Sequence, residues 1–200
     1  FHGGDGYAES MMRFTADFRP LADQHKFIAV YPQGLVFGGK GVSATNWNYK
    51  GPYDNGIDEI AFVEAMIESV ISDYSGDHRR VFACGFSQGG NLMWDYASLM
   101  GDRFAAVASV GASMWQWTYD DFTPIEKIGV LTIHGTNDFY NPYTGNQYSI
   151  SMDRLNRYWV EINGSEQTAS SSQYARGVTQ YVWHGAEGCH SVEHFRVQGG

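Results

Sequence analysis

The chain has 200 residues and a formal net charge of −9, from 13 Lys plus Arg against 22 Asp plus Glu. That length makes one domain of ordinary size, able to bury a core. The acidic balance and the lack of a basic stripe disfavour a nucleic-acid partner, whose phosphates need clustered Lys and Arg, and no apolar run is long enough to span a bilayer.

Strand and helix patterns alternate along the chain, which predicts an α/β fold with a mostly parallel, doubly wound sheet. Residues 9–25 read as an amphipathic helix, 27–31 as a strand, and 32–55 as a long glycine-rich loop of the kind that carries specificity. The clearest helix covers 57–74, with Ile60, Val63, Ile67, Val70, Ile71 and Tyr74 on one face. An apolar run at 80–84 predicts the next strand, followed by a helix at 91–100, a strand at 105–110, an aromatic loop, a strand at 130–133 and a helix at 147–162. The segments 178–183 and 192–198 close the chain as a hairpin. There is no internal repeat, low-complexity segment or domain linker, so residues 1–200 form a single domain.

Between the strand at 80–84 and the helix at 91 stands Gly85-Phe86-Ser87-Gln88-Gly89-Gly90. Strand, Gly-x-Ser-x-Gly and helix in that order describe a nucleophile elbow. A serine on so sharp a turn needs neighbours without side chains. The helix start behind it aims N–H groups and the positive dipole end at an oxyanion. Ser87 is the expected nucleophile. Folds of this kind present the triad in the order Ser, acid, His, and Asp138 is the expected acid, because His134-Gly135-Thr136-Asn137-Asp138 lies just past the C-terminal end of a buried strand, where open α/β sheets place their chemistry. His134 precedes the acid at the strand-to-loop junction and reads as a structural histidine bonded to nearby backbone. His2-Gly3-Gly4 supplies a glycine-rich turn, so the N–H groups of Gly4 and Gln88 are the expected oxyanion hole.

These pieces together resemble the secreted α/β-hydrolase esterases that include polyhydroxybutyrate depolymerases and feruloyl esterases. The resemblance covers nearly the whole chain: His2-Gly3-Gly4, Tyr31-Pro32-Gln33-Gly34, Asn46-Trp47-Asn48, the elbow, and His134 to Asp138 followed by Pro142-Tyr143. It implies an α/β-hydrolase catalytic domain, a serine carboxylester hydrolase mechanism through an acyl-enzyme, and a secreted protein. The catalytic histidine of this family follows the last sheet strand in a glycine-rich turn. Here the sequence reads Val197-Gln198-Gly199-Gly200 and stops, while His190 and His194 lie at the start of that strand, some 20 Å from its far end at about 3.3 Å per residue. A hydrophobic strand should also precede His2, between the strands at 27–31 and 81–84. The chain therefore reads as a fragment that lacks N-terminal strands and the C-terminal histidine turn.

Aromatic residues make up 16% of the chain, with six Trp, and Trp47, Trp115, Trp117, Phe139, Tyr140 and Tyr143 fall in loops expected beside the site. Such faces suit a polymer or an aryl ester, and Trp47 is the expected substrate-binding residue. Cys84 and Cys189 are expected too far apart to bridge. In the family the hairpin cysteine pairs with one in an Asn-Gly-Cys turn; Ser165 stands there in Asn163-Gly164-Ser165, which leaves Cys189 free and also forms the sole glycosylation sequon. No cofactor is required, and Asp/His clusters at metal-ligand spacing are absent. The expected function is a serine esterase acting on polyhydroxyalkanoate-type or feruloyl-type esters, polymeric ones among them. Two alternatives remain open: an intracellular-type carboxylesterase or thioesterase, which shares Gly-Phe-Ser-Gln-Gly-Gly, and a non-catalytic polymer-binding relative that has lost its base.

Overall fold

The computed structural model of the chain describes residues 1–37, 44–48 and 56–200. The N-terminal helix expected over 9–25 is broken into α1 (Ala8–Ser10), a π-type turn over Met11–Thr15, and α2 (Arg19–His25). The break follows from Pro20, which has no N–H to donate and is tolerated only in the first turn of a new helix. A short antiparallel hairpin, β1 (Leu35–Phe37) with β2 (Ala44–Asn46), forms inside the expected long loop; other parts of that loop lie outside the described residues. Helix α3 (Glu59–Tyr74) starts where the Asp58 side chain accepts the Ala61 N–H at 3.0 Å and stops where Ser75 turns left-handed.

The remaining elements are β3 (Phe82–Phe86), α4 (Gln88–Leu99), β4 (Ala106–Val110), α5 (Gln116–Asp121), β5 (Gly129–Gly135), α6 (Met152–Asn163), β6 (Ser170–Ala175), β7 (Val178–Trp183) and β8 (Val192–Val197). They build a six-stranded sheet in the order β3-β4-β5-β8-β7-β6. Strands β3, β4, β5 and β8 are mutually parallel, and β7 and β6 extend the sheet antiparallel. The parallel part follows from the helices that return the chain between its strands. The expected β7–β8 hairpin is present, and β6 adds a further strand to it through Ser- and Gln-rich residues exposed on both faces. With no buried face, β6 carries no apolar alternation to read.

Residues 27–31 are not paired into either sheet, contrary to the expected strand, because an extended segment becomes a strand only through a ladder. A groove of about 730 Å³, lined by Ile28, Val30, Val63, Ile67, Phe82 and other side chains, lies between this segment and β3. Phe1 does run along β3: its ammonium group donates to Cys84 O at 2.7 Å and its carbonyl accepts the Phe86 N–H at 3.1 Å.

The core lies under α4, whose residues from Gly89 to Ser98 are all buried. Leu92, Met93, Trp94 and Tyr96 pack there with Val107, Val130 and Val192 of the sheet and with Leu155 and Trp159 of α6. Both cysteines are free. Cys84 is on β3 and Cys189 precedes β8, three strand spacings away, which is about 14 Å. The sequon is closed to modification: Asn163 is 2% exposed, and its amide donates to Ile128 O and His190 O, each at 2.8 Å. Among the described residues no helix is long and apolar enough to cross a membrane.

A buried polar chain ties the centre of the sheet to the loop after β5. His194 on β8 is 2% exposed; its Nδ1 lies 2.7 Å from Thr132 Oγ1 and its Nε2 2.8 Å from the Tyr143 hydroxyl. Desolvation, with His134 and Arg196 adding repulsion, pushes its pKa down to about 4. An unfolded chain takes up this proton below pH about 6.5, while the folded protein resists it until about 4. Stability is therefore full above about pH 6.5 and falls as pH drops toward 4, by up to about 3 kcal/mol. Urea unfolding of the wild type and His194→Gln at pH 7 and pH 4.5 should show the smaller loss in the variant, and equal losses would remove His194 as a cause.

Candidate active site

Ser87 joins β3 to α4 with φ 53° and ψ −120°, a conformation that costs a residue with a side chain on the order of 1–3 kcal/mol. The surroundings hold it there. Its N–H donates to Val110 O at 2.9 Å, and its carbonyl accepts the Asn91 N–H at 3.0 Å as the first bond of α4. Gly85 lies so close to Gly89 that a Cβ would overlap the Gly89 carbonyl, and a Cβ on Gly89 would stand 2.5 Å from the carbonyl oxygens of Phe1 and His2. The elbow glycines are required by backbone packed on backbone, as their spacing around Ser87 implied.

The His2-Gly3-Gly4 turn lies against this elbow. A Cβ on Gly3 would stand 3.1 Å from the Ser87 Cβ, and one on Gly4 would overlap the Gln88 side chain. Gly4 and Gln88, the two expected oxyanion donors, are thus neighbours beside Ser87, and Gln88 opens α4, where first-turn N–H groups have no carbonyl partner within the helix. His2 fixes the turn. The Gly34 N–H donates to its Nε2 at 3.0 Å, so the proton is on Nδ1, which donates to Gly3 O at 2.7 Å. Burial holds its pKa below the ordinary value, in keeping with this neutral tautomer. The Trp47 indole N–H donates to His2 O at 2.8 Å.

Trp47 therefore stands elsewhere than a substrate-binding ring would. It is 2% exposed, with Phe1 and His2 packed against it at ring distances of 5.1 and 4.6 Å. Its indole is large enough to fill the space behind the glycine turn, and its one donor is spent on the turn's backbone. Trp47 acts on the site through His2.

Asp138 follows β5 and is 22% exposed at its side chain. Oδ1 accepts the N–H groups of Tyr140 and Asn141 at 2.9 and 2.8 Å. Oδ2 points toward Gly111, whose Cβ position is 3.8 Å from it and 3.6 Å from the ring of Phe86, the residue before Ser87. Ser87, whose N–H bonds the carbonyl of Val110, and Asp138 thus both lie next to Gly111 at the end of β4. Asn141, which sequence reasoning missed, clamps the acid loop by donating its side-chain amide to Gly111 O at 2.9 Å. Its one sequence signal is its place directly before Pro142. His134 is the structural histidine expected: it is 1% exposed, its Nε2–H donates to Asn141 O at 2.7 Å, and Nε2 lies 3.7 Å from Asp138 Oδ2.

Among the described residues no histidine hydrogen-bonds the Ser87 hydroxyl. His194 has both nitrogens engaged, and His184 bonds Ser170 at the far side of the sheet. The Gly200 carbonyl accepts the Asn137 N–H at 2.9 Å, so the strand β8 delivers the backbone to the residue beside the acid.

The sequence is similar to several curated esterases. It is 30% identical over 144 residues to feruloyl esterase C of Emericella nidulans, a match covering 72% of this chain and 50% of that protein. It is 25% identical over 189 residues to a bifunctional acetylxylan esterase/xylanase of Neocallimastix patriciarum, covering 90% of this chain and 24% of that one. Poly(3-hydroxyalkanoate) depolymerase C of Paucimonas lemoignei is 23% identical over 201 residues, 90% of this chain and 48% of the depolymerase. The fold matches acetyl xylan esterase from Aspergillus awamori with a TM-score of 0.67 at 13% identity, over 100% of this chain and 80% of that one. The chain shares the α/β fold of these esterases and is similar to them in sequence. It spans a quarter to a half of the length of these curated relatives. No protein-family model matches it.

The elbow between β3 and α4 gives a direct test of its backbone packing. Gly85→Ala should lower stability by about 2 kcal/mol or more, because the added methyl meets a carbonyl that cannot move without shifting α4. An unchanged urea midpoint would show that β3 and α4 can separate at no cost.

Proposed function

We propose that this chain is the catalytic domain of a secreted serine carboxylester hydrolase acting on feruloyl-type or polyhydroxyalkanoate-type esters. The observation that carries the reading is Ser87, held in a strained turn between the glycine-rich turn at Gly4 and the acid loop at Asp138. The related feruloyl, acetylxylan and hydroxyalkanoate esterases support the substrate class.

In this reading Ser87 Oγ attacks the ester carbonyl while a histidine takes its proton. The carbonyl oxygen becomes an oxyanion, held by the N–H groups of Gly4 and Gln88. Asp138 orients the histidine and stabilises its charged form. The histidine then gives the proton to the departing alcohol oxygen, the C–O bond breaks, and an acyl-serine remains. Water, deprotonated by the same histidine, repeats the sequence and releases the acid. The resemblance puts this base on the turn that follows β8, a turn that already reaches the acid loop through the bond from Asn137 N–H to Gly200 O.

In the full-length protein, Ser87→Ala should cut hydrolysis of p-nitrophenyl butyrate by at least about 10³-fold. A fluorophosphonate should label the wild type and leave the variant unlabelled; labelling of the variant would remove Ser87 as nucleophile.

Asp138→Asn tests the acid separately. Its kcat should fall by about 10²- to 10⁴-fold with KM nearly unchanged, since the acid acts through the base and does not hold the substrate. A kcat within a few fold of the wild type would move the acid to another residue.

A further inference from the structure

The loop that carries Asp138 turns back into the interior at Tyr143, which is half-buried. The Tyr143 hydroxyl lies 2.8 Å from Nε2 of His194, and Nδ1 of the same imidazole lies 2.7 Å from Thr132 Oγ1. Thr132 and His194 are register partners on the adjacent strands β5 and β8, so this chain of bonds ends on the central strands of the sheet.

Two routes lead from Tyr143 back to the acid. Along the backbone, Pro142 joins it to Asn141, whose N–H donates to Asp138 Oδ1 at 2.8 Å. Through space, its ring stands edge-on to that of His134, with centroids 5.9 Å apart at 82°. His134 Nε2–H in turn donates to Asn141 O at 2.7 Å and lies 3.7 Å from Asp138 Oδ2. On its other side, Tyr143 meets α6, where its carbonyl accepts the Met152 N–H at 3.0 Å.

A buried hydroxyl and imidazole are costly unless paired, and paired they add only a modest net stability. What they do add is direction. Apolar contact holds a ring in place without fixing its tilt, whereas hydrogen bonds of set length and angle fix both depth and tilt. A catalytic group has use for that, since a misplacement of about 1 Å costs on the order of 10²-fold in rate.

We propose that Tyr143 and His194 are positioning residues for Asp138: the bond between them sets the place of the acid loop against the sheet, and through it the orientation of the base. The inference rests on the esterase reading above for the role of the acid.

Tyr143→Phe removes the hydroxyl and keeps the ring. In the full-length protein its kcat for p-nitrophenyl butyrate should fall about tenfold with KM nearly unchanged, because a displaced acid disturbs the base and leaves substrate binding alone. In the Asp138→Asn background the same substitution should change kcat by less than about twofold, since no carboxylate is left to position. A general loosening of the fold would instead lower kcat by the same factor in both backgrounds. His194→Gln, which keeps an amide nitrogen to bond the Tyr143 hydroxyl, should lose less kcat than His194→Leu. Hydrogen exchange followed by NMR reads the same anchor without activity: the Tyr140 and Asn141 amides, both bonded to Asp138 Oδ1, should exchange at least about tenfold faster in Tyr143→Phe, with the amides of β3 and β4 unchanged. Equal kcat losses in the two backgrounds, or unchanged exchange of the two amides, overturn the proposal, and equal losses in the two His194 variants remove His194 from it. Faster exchange together with an Asp138→Asn variant of wild-type kcat overturns the acid assignment above and leaves the Tyr143 anchor of the loop standing.

Discussion

The arrangement depends on one constraint: a residue with a side chain, Ser87, must occupy a backbone conformation that suits glycine, at the junction of β3 and α4. That strain persists because the neighbours over-determine it. Behind Ser87, Gly85 and Gly89 bring strand and helix backbones together, and in front the carbonyls of Phe1 and His2 close on Gly89. The hydrogen bond from Ser87 N to Val110 O ties the turn to the end of β4. Helix α4 is buried along nearly its whole length, so it cannot tilt away to relax the turn.

The parallel sheet then sets what can meet this serine. Strands β3, β4, β5 and β8 run in one direction, so Ser87, Gly111, Asp138 and Gly200 all follow strand ends at the same edge. Loops at that edge are free to carry chemistry, because the strands below them supply the burial. The histidines divide accordingly. His2 and His134 sit at this edge and hold backbone carbonyls, those of Gly3 and Asn141. His194 lies deeper, between Thr132 and Tyr143, kept neutral by its surroundings. Each is buried and engaged in positioning, and these are the duties that make a histidine unsuited to shuttle protons.

Aromatic residues show how burial sorts one residue type into different roles. Trp47, Trp94 and Trp159 are internal: the first backs the glycine turn, and the other two face each other in the core at a ring distance of 6.2 Å. Phe139 and Tyr140 are turned outward next to Asp138. Sequence composition counts all of these alike, and only the packing separates those that hold the backbone inside from those that face solvent.

Much of this was readable from the residues. Gly85-Phe86-Ser87-Gln88-Gly89 names its own geometry, since glycines at those spacings serve little else than close backbone approach. The 3.6-residue period of α3 and the apolar runs of β3, β4 and β5 follow from burial of one face or both. The order of the elements led to a mostly parallel α/β sheet. Other features were not readable, because they depend on partners distant in sequence. Residues 27–31 carry a strand-like pattern but have no ladder. Strand β6 has a ladder but no apolar pattern, and the apolar run of β1, Leu35–Phe37, is too short to mark a strand without its partner β2. Trp47 sits in a loop by sequence and against His2 in space, so its burial was decided by the fold. Asn163 reads as a sequon locally, yet its amide is consumed by carbonyls 35 and 27 residues away. Local geometry is written in short-range spacing, which steric and hydrogen-bonding rules translate directly. Burial is a property of the assembled chain, and the tertiary structure alone decided it.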